Sequence, residues 1–472
     1  MVALGPSPTP SRPPRRRMSD VLRIASGQGF WGDLQRAPID QARRGPIDVL
    51  VMDYLAEVTM SILQKQKLRD ETKGYARDFV EVVTELAPDI REKGFKVISN
   101  AGGVNPVACA EAIVEGARQR GATGLTVAVV TGDDLLDRLD DLLARGVELE
   151  HMETGQPLSE VRDRIVSANA YLGARPIAQA LALGADVVVT GRTTDTGLTL
   201  APLVWRFGWD WADWDKMAAG TVAGHILECG AQSSGGNFTD WRDVPDMAGI
   251  GFPIAEVAAD GSFVVTKHAG SGGLVSRGTV GEQLLYEIGD PTDYITPDVV
   301  ADFTSIQLDD RGGDRVHVSG IRGSEDTEFL KVSAAYADGW KATSTLVYAW
   351  PDAAEKARAA ARILKDRLDA LDLQFDEYRA EIVGLNALSE RAESDPAREA
   401  DLDEVQLRVS VRGQDKAAVE QFGREIAPLI LTGPSAVTGF AGGRPRPSEV
   451  IAYWPALIPK SEVRTEVRIL EA

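Results

Sequence analysis

The stretch Gly220–Trp241, GTVAGHILECGAQSSGGNFTDW, holds one of four histidines, His225, and one of two cysteines, Cys229. Its composition predicts a helix over Asp213–Cys229. On such a helix His225, Glu228 and Cys229 fall at i, i+3 and i+4 and share a face. An imidazole beside a carboxylate can move protons. A core histidine and a buried cysteine would look the same in sequence, since free cysteine is among the most buried residue types. The turn Ser233-Ser234-Gly235-Gly236-Asn237 follows, and glycine there lets the backbone approach a ligand.

These residues need a frame. Val21–Gly27, Asp48–Tyr54, Phe95–Ser99, Leu125–Val130, Ile165–Ala168 and Asp186–Thr190 read as short apolar strands. Helical segments separate them: Leu55–Leu68 with Glu57 in its first turn, Tyr75–Leu86, Val107–Arg120, Leu135–Arg145 and Pro176–Leu183. Val/Ile-rich strands alternating with helices predict an α/β fold with a mostly parallel, doubly wound sheet. Ligands of open α/β sheets bind beyond the carboxyl ends of the strands. The residues at those ends are Ser26, Asp53, Asn100, Asp133, Asn169, Arg192 and Asp195, which are expected to converge on one rim. Asp and Asn there also serve as turn formers and helix caps. Arg192 has no such capping role, and Asp195 gains weight from standing beside it.

Three glycine-rich loops are further candidates: Asn100–Pro106 with Gly102 and Gly103, Ser233–Asn237, and Ala269–Leu274, the last preceded by Lys267-His268. The first follows a strand and opens a helix, a context suited to a phosphate. None carries G-x-G-x-x-G or G-x-x-x-x-G-K-[ST], so a bound phosphate or carboxylate and an empty tight turn both remain open. Lys267 and His268 could face an acidic ligand or solvent. No histidine pair has metal-ligand spacing, and no G-x-S-x-G elbow is present.

From Gly251 to Thr345 the pattern turns to short alternating segments, read as an antiparallel β insertion. Pro351–Leu371 is helical, Asp376–Ala387 is read as a further helix, and Ser389–Leu402 as an exposed linker. Glu404–Arg412, the helix Lys416–Leu431 and the strand Val450–Trp454 suggest a small α+β unit. The expected division is a tail over 1–20, an α/β domain over 21–245 that carries the site, and a β-rich and α+β domain over 246–472. The Pro/Ser/Arg-rich start reads as a disordered tail, with Met18 an alternative first residue.

The chain has 472 residues, with 51 Lys+Arg against 71 Asp+Glu and a net charge of −20. That charge repels nucleic acid and anionic membranes, so neither is an expected partner. Cys109 and Cys229 stand far apart, which suits a reducing cytoplasm. No apolar run reaches the roughly 18 residues of a membrane helix.

The strings SGQGFWGD, DVLVMDYLAEVTM, KGYARDFV, SNAGGVNP, VVTGDD, METGQPL, SANAYLGA, GADVVVTGRTTDTGL, GHILECGAQSSGGNFTDW, GGLVS and LLYEIGDP together resemble the acyclic terpene utilisation family AtuA, a domain-of-unknown-function family. The resemblance covers Val21 to Trp340. It implies a place in the breakdown of citronellol- and geraniol-type terpenes, alongside geranyl-CoA carboxylase subunits. Many members carry a ferredoxin-like carboxy-terminal domain, of which Glu404–Ala472 would be a version.

The reading that follows is an enzyme acting on a branched acid or its coenzyme A thioester, of the hydratase or carbon–carbon lyase type. His225 or Glu228 moves protons, Cys229 assists or packs, Arg192 holds a carboxylate bidentately, and Asp195, counted with these catalytic residues, lines the pocket. Asp53, Asn100, Gly102, Gly103, Asp133, Asn169, Ser234, Gly235, Gly236, Asn237, Lys267 and His268 contact substrate. No metal is assigned, and coenzyme A is expected only as part of a substrate. A homo-oligomer is expected. The alternatives are a non-catalytic accessory subunit of an acyl-CoA carboxylase-type complex and a metal-dependent hydrolase.

Overall fold

The computed structural model describes residues 21–56, 59–388, 399–400, 402–438 and 443–472. The amino-terminal tail, Glu57 and most of the Ser389–Leu402 linker lie outside the described residues. Contacts divide the chain into two units. One takes in residues up to Leu158, Ser167–Ser333 and Pro455–Ala472; the other takes in Ser159–Val166 and Ala334–Trp454.

In the first unit, strands β1 (Val21–Gln28), β2 (Val49–Met52), β3 (Lys96–Ser99), β4 (Thr126–Thr131), β5 (Ile165–Ala170), β6 (Val187–Thr190), β7 (Ile254–Ala258) and β8 (Phe263–Thr266) alternate with helices. The helices are α1 (Ala37–Arg44), α2 (Thr59–Arg69), α3 (Arg77–Lys93), α4 (Pro106–Gln119), α5 (Leu139–Ala144), α6 (Arg175–Ala182), α7 (Gly197–Phe207), α8 (Trp214–Glu228) and α9 (Arg277–Leu285). Among the described residues the main sheet is ten-stranded and mixed. Its centre, β1-β2-β3-β6-β4, is parallel. β5 forms but stands outside this sheet, unlike the expected fifth parallel strand.

The supposed β insertion extends the sheet instead of starting a second domain at residue 246. β7 pairs antiparallel with β1, β8 pairs with β7, and Val316–Ser319 and Gln307–Asp310 follow outward. At the far edge Glu466–Glu471 pairs antiparallel with β4. Charged residues alternate along that last strand, so its burial signal is weak.

Successive residues of the parallel strands enter different cores, as a pleated sheet covered on both faces requires. Val49, Val51, Ile98 and Val188 pack with α6, α7, α8 and α9. Leu50, Met52, Val97, Val187 and Val189 pack with α1, α2, α3 and α4. Helix α8 is buried on nearly every side from Met217 to Leu227, which explains its apolar, small-residue composition. Asp213 caps it by accepting a hydrogen bond from the Lys216 amide. A β-carbon at Gly224 would lie 2.6 Å from Thr196 Cα. Glycine there lets the end of α8 rest on the loop after β6. No helix among the described residues is long and apolar enough to cross a membrane.

In the second unit Glu404–Gly413 pairs antiparallel with Glu377–Val383 on one side and with Trp340–Ala349 on the other. Helices Ala353–Ala370 and Lys416–Ile426 share a core with these strands. Glu377–Val383 was expected to be helical. Its Glu, Arg and Ala favour a helix, but pairing along the whole strand overrides that weak preference.

Candidate functional site

The carboxyl ends of β1, β2 and β6 and the end of α8 surround a cavity of about 550 Å³. Asp53, Arg192, Asp195, Glu228 and Cys229 line it, with Gly236 and Asn237 from the following turn.

Glu228 Oε1 lies 2.8 Å from His225 Nδ1. The other imidazole nitrogen, Nε2, is 3.0 Å from the Gln283 carbonyl oxygen. A carbonyl only accepts, so Nε2 carries a proton and donates it. The Nδ1–Oε1 contact therefore holds one more proton, on either nitrogen or oxygen. Gln283 grips the same residue twice, its side-chain amide donating to the His225 carbonyl at 2.8 Å. Edge-on contacts with Tyr294 and Phe303 fix the ring plane. Burial opposes the imidazolium, but the charge and hydrogen bond of Glu228 outweigh it and raise His225. Burial also raises Glu228, against the pull of His225. Both shifts favour keeping the shared proton.

Across the cavity, Asn100 Nδ2 donates to Asp53 Oδ1 at 2.6 Å, while Asn100 Oδ1 accepts from the Tyr54 amide at 2.8 Å. Burial raises Asp53, and the Arg192 charge and the Asn100 hydrogen bond counter it. Asn100 is wholly buried behind Asp53 and positions it.

Arg192 is 1% exposed. Its Nη1 donates to the Leu55 carbonyl, its Nη2 donates to the Tyr171 hydroxyl at 2.8 Å, and its Cζ sits 4.2 Å over the Tyr171 ring. Asp195 Oδ1 is 3.6 Å from Nη1. The guanidinium thus braces the loops after β2 and β6 and serves as countercharge to Asp53 and Asp195. Each terminal nitrogen spends one of its two N–H groups on the protein, which fixes the guanidinium where it lines the cavity.

Cys229 lines the cavity as the residue after α8, and burial pushes its thiol up to about 12. It is a thiol at neutral pH, not the thiolate a nucleophile needs.

Other expected contacts fall elsewhere. Asp133 Oδ2 accepts from Asn169 Nδ2 at 2.9 Å and from the Arg192 amide at 2.8 Å. These two buried residues support the β6 end from behind and do not line the cavity. The Gly102–Gly103 loop spends its amides on the chain: Gly103 donates to Asn100, Val104 to Gly74 and Asn105 to Gly102. A β-carbon at Gly102 would lie 2.5 Å from the Thr190 carbonyl oxygen. That glycine pair serves close packing, and the loop is not a phosphate cradle. Ser234 is buried, its hydroxyl donating its one proton to the Gly251 carbonyl at 2.6 Å, with the Ala231 carbonyl at 3.0 Å. Gly235 has φ of 105° and turns the chain. Lys267 pairs with Asp314 at 2.9 Å. His268 Nε2 donates to the Gln41 carbonyl, and burial lowers its pKa, so it is a neutral packing residue of a separate small cleft.

Several lining residues were not singled out in the sequence: Asp33, Phe30, Tyr286 and Glu287. Asp33 Oδ2 accepts from the Gly29 amide at 3.0 Å and closes the loop after β1. The GQGFWGD loop and the YEIGDP string were the signals available. Gln283 had none, since its key acceptor is a backbone carbonyl. Among the described residues no group of three or more His, Cys, Asp or Glu side chains is arranged to hold a metal ion.

The model of the acyclic terpene utilisation family AtuA matches residues 22–469, nearly the whole chain. The chain belongs to the AtuA family. No curated protein and no solved structure matches it. The AtuA match runs through both units, so the second unit belongs to the family pattern as much as the cavity-bearing one.

Proposed function

We propose that this AtuA family chain is an acid/base enzyme of acyclic terpene breakdown, acting beside the carbonyl of a branched acyl thioester. The Glu228–His225 contact carries the reading: a cavity-lining carboxyl whose proton is shared with a fixed, buried imidazole. The family name supplies the substrate class.

The electrostatics narrow the head group. Asp33, Asp53, Asp195, Glu228 and Glu287 line the cavity against the single cation Arg192, which is already engaged. A free carboxylate meets like charge there. An uncharged carbonyl, as in a thioester, does not. Phe30 and Tyr286 add apolar surface on which an acyclic hydrocarbon chain can lie.

In the dehydration direction, Glu228 as carboxylate takes the proton from the carbon beside the carbonyl, and the imidazolium of His225 balances its charge. Asp53 in its protonated form, which burial favours against the pull of the Arg192 charge, gives its proton to the departing hydroxyl, which leaves as water. Hydration runs the same steps backward, and aldol-type carbon–carbon cleavage can use the same two groups.

Purified protein is to be incubated with a panel of acyclic terpenoid and branched acyl-CoA esters and the products followed by mass spectrometry. Turnover by the parent and its loss in Glu228→Gln is the expected result. A parent that changes none of them overturns the proposal and favours the accessory-subunit reading.

A further inference from the structure

The second unit contains a cavity of about 1050 Å³ whose charge opposes that of the chain. Lys416, Arg424, Arg444 and Arg446 line it, with Glu420 the one carboxylate among the lining residues. Arg424 Nη2 pairs with Glu420 at 2.9 Å, so Lys416, Arg444 and Arg446 carry the net positive charge of this concave surface, in a protein of −20. A concave surface focuses such a field.

The construction is specific. Helix Lys416–Ile426 places Lys416, Glu420 and Arg424 at i, i+4 and i+8 on one face. Lys416 Nζ sits 4.2 Å over the Trp340 ring, which holds the ammonium at one end. Gly423 lets the Gly443–Pro447 segment lie directly on the helix, since a β-carbon there would meet the Pro445 carbonyl oxygen at 2.7 Å. Pro445 and Pro447 restrict that segment and so limit where Arg444 and Arg446 can reach. Neither arginine has a carboxylate within ion-pair distance among the described residues. Thr343 and Thr345 add hydroxyl groups along the floor.

The spacing selects the ligand. Lys416 and Arg424 are eight residues apart, a helical rise of about 12 Å. Side chains that start that far apart, with Arg444 and Arg446 beside them, leave room for more than one phosphate. Guanidinium forks match phosphate oxygens in pairs. We infer that this cavity binds an organic or inorganic oligophosphate, a ligand with at least two separated phosphate groups.

The test is isothermal titration of the full chain with inorganic tripolyphosphate and with ATP, in 50 mM and 200 mM salt, using sulfate as the single-anion control. The expected result is binding at least tenfold tighter for tripolyphosphate than for sulfate, weakened by salt. Arg444→Ala with Arg446→Ala should lower that affinity at least tenfold, Arg444→Lys with Arg446→Lys should recover only part of it, and Glu420→Gln should tighten it. Both arginines are exposed, and a thermal melt will show that the variants fold. ATP binding alongside tripolyphosphate would place a nucleotide there; tripolyphosphate alone would indicate a phosphate chain. Binding no tighter than sulfate, or an equal loss on Arg311→Ala in the other unit, overturns the inference.

Discussion

Glu228 Oε1 and His225 Nδ1 lie 2.8 Å apart, and the opposite imidazole nitrogen is bound by a carbonyl that can only accept. The imidazole therefore cannot flip its role, and Glu228 is the member of the pair that meets the cavity. Glu228→Gln keeps the shape and removes the exchangeable proton. It should lower kcat by about 10²–10⁴-fold with an unchanged melting temperature. A loss under tenfold in steady-state assays would remove Glu228 from the chemistry.

Cys229 offers a contrasting expectation. Its thiol is pushed up to about 12 by burial and by the neighbouring Glu228 charge. Cys229→Ser should leave kcat within about threefold, and iodoacetamide at pH 8 should not inactivate the parent. Rapid inactivation protected by substrate would restore a nucleophilic role.

Arg192 should show itself as a brace. Arg192→Ala leaves the Tyr171 hydroxyl and the Leu55 carbonyl without their donors and two carboxylates without a countercharge. Removing one partner of a buried charge network costs on the order of 3–5 kcal/mol. Denaturant unfolding should show that loss, with Arg192→Lys recovering only part of it because an ammonium cannot span both acceptors.

Asp133 sets a pH dependence. Burial pushes its carboxyl up to about 7, against an ordinary value of about 3.9. Between roughly pH 4 and 7 the folded chain keeps a proton that the unfolded chain has released. Its contribution is full at low pH, falls as pH rises through that window, and levels off above it. Asp133→Asn fixes the neutral state. It should raise stability at pH 8 by on the order of 2–4 kcal/mol, with the gain vanishing near pH 4. Melting curves across that range give the answer, and a constant difference would contradict the assignment.

Gly29, just after β1, packs directly on the chain that follows Glu228 at the end of α8. A β-carbon there would lie 2.7 Å from the Gly230 amide nitrogen and 2.8 Å from the Cys229 carbonyl carbon. Gly29→Ala should destabilise by about 1–3 kcal/mol and displace Glu228. Activity should then fall in a sample whose circular dichroism is unchanged; full activity would show that α8 can yield without effect.

Much of the site was legible because parallel strands have one chemical direction. Apolar runs ending in Asp53, Arg192 and Asp195 put those residues at one sheet end whatever the details of the helices. The helical spacing of His225 and Glu228 placed the fourth group. What could not be read was the difference between lining and supporting. Asp53 and Asp133 follow similar strands, yet one faces the cavity and the other is buried behind β6. That distinction depends on which neighbour donates to each carboxylate. Lys267 and His268 failed for a related reason: Asp314 and Gln41, remote in sequence, already occupy them. The strand Glu377–Val383 was misread because pairing with Glu404–Gly413 outweighs local preference, and no local signal reports a distant partner.

The pairing of Glu466–Glu471 with β4 also governs how the chain emerges from the ribosome. β4 is made early, but its edge partner, starting at Glu466, comes 335 residues after Thr131 (466 − 131). At roughly 5–20 residues per second the delay is on the order of tens of seconds. Throughout that interval the backbone edge of an apolar TVAVVT segment is available to any other extended polypeptide. Nascent chains stalled before Glu466 should therefore be the form that self-associates or recruits chaperones.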